Sequence, residues 1–309
     1  MGARQSQTHD HTAVFAFTNA HPGMVSNGKC LFNPSIGDAH NILVRKSDWC
    51  YCIGTPHPQP NRWHDPYNPT HFNYLTQGTL WYQNGDVRRW ISNSEDARLF
   101  SLRGEWWAIY GMGVGGRHRL VIHNISRMGS RPIVLHYEHY QQFEKNWSPF
   151  VHDDTLMLLY SIHPTVVLEC DHHTGVCTKR YFTTDTHMSI PSTAHYLRGG
   201  SQLVRVGEYY LGVCHTCQDG SANYRHAFYL CDAYPPFSLA RLSPWFILPA
   251  KNNQQNGYRP DIQFVSGIYV DDIWCYVSYG ISDCSYNIVK VKLSSVLTAC
   301  HQRRTRIRI

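Results

Sequence analysis

The sequence predicts an all-β fold, a five-bladed β-propeller, and three observations lead to it. Helical periodicity is nearly absent from the 309 residues, and aromatic and β-branched residues dominate the apolar runs. Five stretches show the pattern of a β-hairpin, in which a strand, a tight polar turn and a second strand follow one another. The turns recur about every 50 to 65 residues, and most hairpins precede a further strand pair, as in a four-stranded blade. The predicted turns lie near Asp48, Gly104, Asp153, Gly207 and Asp271.

The hairpins set the domain organisation. In chain order they read HNILVRKSDWCYCIG, ARLFSLRGEWWAIYGMG, SPFVHDDTLMLLYSI, SQLVRVGEYYLGVCH and GIYVDDIWCYVSYG. Five blades of about 55 residues fill residues 30–298. Residues 1–29 are then an N-terminal extension and closing segment, and residues 299–309 a basic C-terminal tail. A large β-sandwich is the alternative, but its strands would not recur as near-copies at a fixed period.

Composition excludes some classes of protein. Only 16% of residues are charged, and Trp and Tyr number 9 and 20, which is typical of a folded chain and not of a disordered one. Part of the net charge of +6 lies in the tail HQRRTRIRI. No basic run elsewhere is interleaved with aromatic residues, so we expect no nucleic-acid partner.

The 11 cysteines are an odd number and are scattered in strand-like contexts. This pattern predicts free, buried thiols in a reducing compartment, and hence a cytoplasmic protein. Cys214 and Cys217 have the spacing of half a zinc site, but no second pair lies nearby in the sequence. We therefore expect no metal.

The N-terminus lacks the apolar core of a signal peptide, and no apolar run approaches the length of a membrane span. It matches the pattern M-G-x-x-x-[ST], which makes Gly2 a candidate for myristoylation. A single acyl chain would give only weak membrane association.

Polar residues stand just before the predicted inner strand of each blade, and others follow the inner hairpins. Inner strands of a propeller line its central channel and start on one face, so these positions should meet in one axial funnel. The residues after the hairpins are His163, His215 and Asp283. The residues before the inner strands are Asn33, Glu95, Asp96, Arg98, Lys145, Asn146, Arg198 and Asp261.

This set of residues suits a sugar bound beside a phosphate. Carboxylates can bond sugar hydroxyls, and rings such as Trp147 and Tyr279 can stack on a sugar face, unless they belong to the core. Cations such as Lys145 and Arg198 suit a phosphate or a nucleotide-sugar diphosphate, unless each pairs with a neighbouring acid. Glycosidases need two carboxylic acids, whereas here one strong acid candidate, Asp96, lies among cations. We expect glycosyl transfer to or from a phosphate, unless Asp96 is merely a turn residue at a strand entrance.

Several short motifs occur in a familiar order over roughly residues 30 to 295. They are EDAR (95–98), EKNWSPF (144–150), LLYSIHP (158–164), RGGSQLVRVGEYYLGVCHT (198–216), HAFYLCDAYPPF (226–237) and SYGISDC (278–284). The set resembles the five-bladed propellers of glycoside hydrolase family 130, which are β-mannoside phosphorylases and related enzymes. It also resembles glycosyltransferase family 108, whose β-1,2-mannosyltransferases can use a nucleotide sugar.

The resemblance implies roles for single residues. Asp96 would be the general acid or base, acting directly or through a sugar hydroxyl. Lys145 would contact phosphate, and Asp283 would hold the sugar. With the rest of the funnel, the sugar-binding candidates are Asn33, Glu95, Arg98, Asp283, Tyr279 and Trp147. The candidates for binding the phosphate or donor are Lys145, His163, Arg117, Arg119, Arg198 and His226.

Two departures distinguish the chain from typical phosphorylases. Only Arg117 and Arg119 stand where those enzymes have arginines that grip inorganic phosphate, and SIHP (161–164) stands where they often have HRP. These changes favour an inverting glycosyltransferase that forms β-mannosidic or similar linkages on an oligosaccharide acceptor, without a cofactor. Its donor would be a nucleotide sugar such as GDP-mannose, or mannose 1-phosphate. The alternatives are a β-mannoside phosphorylase that uses inorganic phosphate and a non-catalytic propeller that binds a glycan or a protein.

Overall fold

Five antiparallel sheets follow one another along the described chain as the blades of a propeller, which confirms the predicted fold. The inner strands of neighbouring blades contact each other around a central axis. The computed structural model describes residues 15–20, 30–47, 78–84, 87–114, 117–139, 145–184, 197–217, 224–249 and 262–301.

Blades 1 to 3 each contain four strands that pair in chain order, the first strand lying innermost. Blade 1 consists of β2 (Cys30–Ile36), β3 (Asn41–Ser47), β4 (Gly78–Asn84) and β5 (Val87–Asn93). Blade 2 consists of β6 (Glu95–Leu102), β7 (Glu105–Val114), β8 (Arg117–Asn124) and β9 (Ile133–Val134). Blade 3 consists of β10 (Ser148–His152), β11 (Thr155–Ser161), β12 (Thr165–Cys170) and β13 (Cys177–Thr183).

Blades 4 and 5 depart from this scheme at their edges. Blade 4 consists of β14 (Arg198–Gly199), β15 (Val204–Val206), β16 (Tyr209–Cys217), β17 (Tyr224–Asp232) and β18 (Leu239–Leu242). Its inner position is divided between β14 and β15, which both pair with β16. Blade 5 consists of β19 (Gln263–Val270), β20 (Trp274–Ile281), β21 (Ser285–Lys292) and β1 (Thr18–Asn19). Its outermost strand is β1, from the N-terminal part of the chain, which pairs with β21 and closes the ring.

The inner hairpins of blades 2 and 3 close with two-residue turns whose residues both have positive φ. The turn residues are Arg103 (φ 53°) with Gly104 (φ 76°), and Asp153 (φ 47°) with Asp154 (φ 58°). Such turns match the twist of antiparallel strands. The strands on either side of these two turns were correctly predicted, because the turn residues Gly104 and Asp153 are recognisable in the sequence.

The hairpin predicted around Asp48 is wrong. β3 pairs along its length with β2 on one side and β4 on the other, so the inner hairpin of blade 1 turns before β3. Asp38 makes that turn, because its Oδ1 accepts hydrogen bonds from the backbone N–H groups of His40 (2.8 Å) and Asn41 (2.7 Å). Asp48 itself lies outside the described residues.

Apolar side chains fill every interface between neighbouring blades. Alternate residues of a strand point to opposite faces, so each blade packs one set against the blade before it and the other against the blade after it. In blade 1, for example, Leu43 packs toward blade 2, whereas Val44 packs against Ile288 of blade 5. The core is therefore a ring of five interfaces around the axis.

Segments near both ends of the described part of the chain pack on the apolar cluster between blades 4 and 5. Phe15 stacks edge-on against Phe228 and Phe246, with ring centroids 5.3 and 5.1 Å away. The helix α1 (Leu293–His301) buries its apolar residues on the same cluster, so it crosses the boundary at which we predicted the basic tail to begin. Residues 302–309 and Gly2 lie outside the described residues. No helix within the described residues is long and apolar enough to span a membrane.

The cysteine prediction is only partly right. Cys214, Cys275 and Cys300 are free and buried, and Cys231 is also buried. Cys170 and Cys177 instead form a disulfide across β12 and β13, whose register places them directly opposite each other. Cys284 is also disulfide-bonded. The cysteines therefore no longer support the prediction of a reducing, cytoplasmic compartment.

Candidate functional site

Residues in a left-handed backbone conformation surround the start of the inner strands. Their φ values lie between 47° and 65°, in a region that residues other than glycine rarely adopt. Two of these residues, Asn33 and Asp96, lie in β-bulges. The bulge in β2 falls between Phe32 and Ser35, and the bulge in β6 between Glu95 and Arg98. Such conformations cluster at functional sites because they turn side chains out of the sheet. These residues are Asn33, Asp96, Asn146, Ser282 and Asp283.

Asp96 is fixed by two residues of blade 1. Asn33 donates its Nδ2–H to Asp96 Oδ1 at 2.8 Å, and Arg45 Nη1 lies 3.4 Å from the same oxygen. The Asp96 side chain is 20% exposed, so its carboxylate remains open to a ligand. Gly280 makes room for this arrangement, since a Cβ there would lie 2.0 Å from Asn33 Oδ1.

Glu95 is buried and contacts three nitrogen-bearing side chains. Arg45 Nη1 lies 3.2 Å from Oε2, while His118 Nε2 and Lys145 Nζ lie 3.2 and 3.4 Å from Oε1. Burial by itself disfavours the charged carboxylate. The charges of Lys145 and Arg45 and the contact with His118 outweigh burial and hold the pKa of Glu95 well below its usual value. Glu95 therefore remains an anion in the site.

Lys145 is the exposed cation of this cluster, with 42% of its side chain accessible. The negative charge of Glu95, aided by that of Asp96, raises the pKa of Lys145 against the opposing effect of burial. Its ammonium group is therefore charged at neutral pH and open to an incoming anion.

Asp283 enters the cluster from the end of β20. Burial raises the pKa of its carboxyl to about 6; Arg45 opposes this shift, and the negative charges of Asp96 and Glu95 add to it. The site therefore contains three carboxyl groups with different environments. Glu95 is firmly ionised, Asp96 accepts two polar contacts, and Asp283 changes charge near pH 6.

Arg98 is buried and connects four blades. It donates from Nε to Gly200 O at 2.8 Å and from Nη2 to Asn146 Oδ1 at 3.0 Å, and a third bond goes to the backbone oxygen of Asp96. Its guanidinium carbon lies 5.3 Å from the Phe264 ring centroid. Burial lowers the pKa of Arg98 to about 10, so it stays charged. Arg98 therefore holds the Asp96 backbone in place and does not occupy the position of the sugar contact predicted from the sequence.

Three other candidates lie in the core and away from the open site. Trp147 packs between Tyr137 and Tyr160, and Tyr279 donates its hydroxyl to Pro249 O, so neither ring presents a face to a sugar. His226 is fully buried beside Phe246, and burial lowers its pKa to about 3. A neutral, enclosed imidazole is unsuited to a phosphate.

The remaining basic candidates divide between two places. His163 and Arg198 are exposed at the same end of blades 3 and 4 as the cluster, His163 just after β11 and Arg198 at the start of β14. Arg119 lines a different cavity of about 470 Å³ together with His136, Tyr137 and Thr178, so the structure does not bring it to the cluster. The Arg117 side chain and Asp261 lie outside the described residues.

Sequence reasoning missed Arg45 and His118, which both contact Glu95. Each lies on a later strand of its blade, whereas the sequence candidates stand just before the inner strands or just after the inner hairpins. The available signal for His118 was alternation: in GGRHRL, if Arg119 points to one face of β8, His118 must point to the other. Within the described residues no group of three or more His, Cys, Asp and Glu residues could hold a metal ion.

Comparison with known proteins identifies the fold. No family model and no curated protein sequence matches the chain. β-1,2-Mannobiose phosphorylase from Listeria innocua, solved with β-1,2-mannobiose, has a TM-score of 0.62 at 12% identity and covers 92% of this chain and 96% of its own. A glycosyl hydrolase from Bacteroides ovatus also gives 0.62 at 12% identity, with 91% and 95% covered.

A third similar structure belongs to the family-130 mannoside phosphorylases, a family that contains glycoside hydrolases targeting β-1,2-mannosidic linkages in Candida mannan. Its TM-score is 0.61 at 12% identity, with 91% of this chain and 95% of that chain covered. At such identities the similarity establishes a shared fold. This chain therefore has the five-bladed propeller fold of the family-130 mannoside phosphorylases.

Proposed function

We propose that this protein is a carbohydrate-active enzyme that transfers a mannosyl unit between a β-mannoside and phosphate, as a β-mannoside phosphorylase. The observation that carries the proposal is the environment of Asp96. Its carboxylate is partly exposed, fixed by Asn33 and Arg45, and belongs to one charge cluster with the accessible Lys145 ammonium. The fold shared with mannoside phosphorylases supports the same reaction class.

In the proposed reaction, phosphate attacks the anomeric carbon of the β-mannoside from the face opposite the bridging oxygen. The new bond joins a phosphate oxygen to that carbon, and the bond from the carbon to the bridging oxygen breaks. The departing sugar oxygen takes a proton from Asp96, directly or through a sugar hydroxyl. The configuration inverts, giving an α-mannosyl phosphate, and Lys145 stabilises the phosphate charge.

The same residues serve the reverse direction. Asp96 then accepts the proton of the acceptor hydroxyl while that oxygen attacks the anomeric carbon and phosphate departs. Asn33 and Arg45 both hold the Asp96 carboxylate through Oδ1, so in this proposal the other carboxylate oxygen takes the proton. We therefore expect synthesis from mannose 1-phosphate to be readily measured.

A nucleotide-sugar transferase, the function that the sequence departures favoured, is the second candidate. Its support is that Arg119 lies apart from the cluster, which weakens the case for a pair of arginines gripping inorganic phosphate there. The three similar structures described above are named for phosphorylases and hydrolases, and none of these three is named for a nucleotide-sugar donor. We therefore place the phosphorylase first.

The test compares three reactions by mass spectrometry of the sugar products. The protein is incubated with β-1,2-mannobiose and phosphate, with β-1,2-mannobiose and mannose 1-phosphate, and with β-1,2-mannobiose and GDP-mannose. We expect phosphate-dependent cleavage in the first and chain extension in the second. Asp96→Asn should abolish both. Asp153→Asn is the matched control, because Asp153 has a similar φ of 47° but lies exposed at a distant hairpin turn.

Each other outcome points to a defined function. Extension from GDP-mannose alone would replace the phosphorylase by the transferase. Cleavage that does not depend on phosphate would indicate a hydrolase. No reaction with any donor would favour the non-catalytic glycan- or protein-binding propeller.

A further inference from the structure

Glu95 and His118 meet through an opening in the middle strand of their sheet. Glu95 lies on β6, its direct partner on β7 is Gly111, and His118 lies beyond on β8, opposite Gly113. A Cβ on Gly111 would lie 2.4 Å from His118 Nε2. Because Gly111 has no side chain, the imidazole passes over β7 and reaches Glu95 on the far side.

Two groups contact one oxygen of Glu95. His118 Nε2 lies 3.2 Å and Lys145 Nζ 3.4 Å from Oε1, whereas Arg45 lies on Oε2. His118 and Glu95 are both buried, while Lys145 is partly exposed. Lys145 is thus the one of these two groups that can turn toward a ligand, and it does so against the attraction of Glu95.

From this geometry we propose that His118 is a positioning residue for the anion subsite: by contacting Glu95 Oε1 it sets how strongly Glu95 retains Lys145, and so how tightly Lys145 binds a phosphate-like dianion. This inference rests on the proposed function and assigns a role within the same site. His118 touches no substrate in the proposed reaction. It acts through Glu95.

The direction of the effect follows from the shared oxygen. His118 occupies one side of Glu95 Oε1, whereas without the imidazole that oxygen would be left to Lys145 alone. The attraction between Glu95 and Lys145 would then increase, and the Lys145 ammonium would be less available to an anion. Anion affinity should therefore fall when the imidazole is removed from Oε1.

Other charged groups face Glu95 and must be separated from His118. Arg45 and Lys145 remain cationic, Asp96 adjoins Glu95 on β6, and Asp283 approaches from the end of β20. Asp283 has a pKa of about 6, so all measurements are made at pH 8, where its charge is the same in every variant.

The experiment measures binding of inorganic sulfate, a dianion, by isothermal titration calorimetry at pH 8. We expect His118→Phe, which keeps a ring at this position but has no nitrogen to contact Glu95, to weaken sulfate binding on the order of tenfold. Gly111→Ala should weaken it in the same way, because its methyl group would displace the imidazole from Glu95 although residue 118 is still histidine.

The two substitutions protect the test from a folding artefact, and a thermal melt checks each protein. An unchanged sulfate affinity in both His118→Phe and Gly111→Ala would overturn the inference. So would an absence of sulfate binding to the unsubstituted protein. Phosphate-dependent cleavage of β-1,2-mannobiose by the unsubstituted protein is measured separately, so the proposed function can hold while this inference fails, and the reverse.

Discussion

Asn33 donates its side-chain amide to Asp96 at 2.8 Å across the junction of blades 1 and 2, with both residues in the left-handed conformation. Two independent blades thus each supply a strained residue to one hydrogen bond. The strain, which costs on the order of 1–3 kcal/mol per residue, is maintained by the surrounding sheets. We interpret the pair as the fixed centre of the site, around which Lys145 and Asp283 are arranged.

Asn33→Ala removes the donor and should free the Asp96 carboxylate to rotate. We expect kcat for phosphate-dependent cleavage of β-1,2-mannobiose to fall about 10- to 100-fold with a smaller change in KM, since the proton is transferred in the transition state. Asn93→Ala is the control, because Asn93 is exposed at the end of β5. Equal kcat in the two variants would show that the hydrogen bond does not matter to the reaction.

Gly280→Ala tests the same pair from the opposite side. The added methyl group would lie 2.0 Å from Asn33 Oδ1 and must displace that side chain. We expect kcat to fall as in Asn33→Ala, and the two substitutions combined to cost little more than one, because they remove the same interaction. Gly104→Ala serves for comparison: it strains a turn with φ 76° but contacts nothing within 4 Å, so it should affect stability and not kcat.

Most of the fold could be predicted because its signals are local. The period of the hairpins and the turn residues Gly104 and Asp153 can be recognised directly in the sequence, and they identify strands and blades. The pairing of one strand with another is not a local signal. Asp38 and Asp48 are both plausible turn residues, and the choice between them depends on β3 pairing with β2, which becomes visible only in the assembled sheet.

The site was harder to predict because side-chain direction depends on strand alternation and bulges. Asp96 and Lys145 were located from their positions before inner strands. Arg45 was missed because it lies on the second strand of its blade and reaches Glu95 and Asp96 only through its long side chain. Trp147 and Tyr279 were assigned to a sugar, although both are buried in the apolar clusters between blades.

Arg98→Met tests whether the Arg98 guanidinium stabilises the fold or contacts the sugar. Methionine fills part of the volume but leaves Gly200 O and Asn146 Oδ1 without their donor in a buried place. Each lost partner costs about 1–3 kcal/mol, so we expect the free energy of unfolding to fall by about 3 kcal/mol in urea titrations. Arg103→Met, at the exposed hairpin turn, should change it by less than about 0.5 kcal/mol. A stable Arg98→Met protein with weakened sugar binding would instead support the direct sugar contact predicted from the sequence.

Asp283→Asn should stabilise the protein above pH 6, although it alters a residue proposed to hold the sugar. The carboxyl has a reference pKa of 3.8 and a folded pKa of about 6. Between these values the native state retains a proton that the unfolded state has released, so the free energy of unfolding decreases as the pH rises from about 4 to about 6. Above pH 6 the native state carries the full cost of the buried charge. Asparagine carries no such charge, so we expect a gain of about 1 to 2 kcal/mol at pH 7.5 and almost none at pH 4.

Urea titrations at pH 4, 6 and 7.5 measure this gain, and the exposed Asp272→Asn substitution provides the baseline. A gain in stability would be informative, because position 283 would then favour aspartate for sugar binding and asparagine for stability. A proposed sugar ligand that weakens the free protein is consistent with a carboxyl kept for function. A gain that is the same at pH 4 and pH 7.5 would exclude ionisation as its cause and would point to packing around the amide.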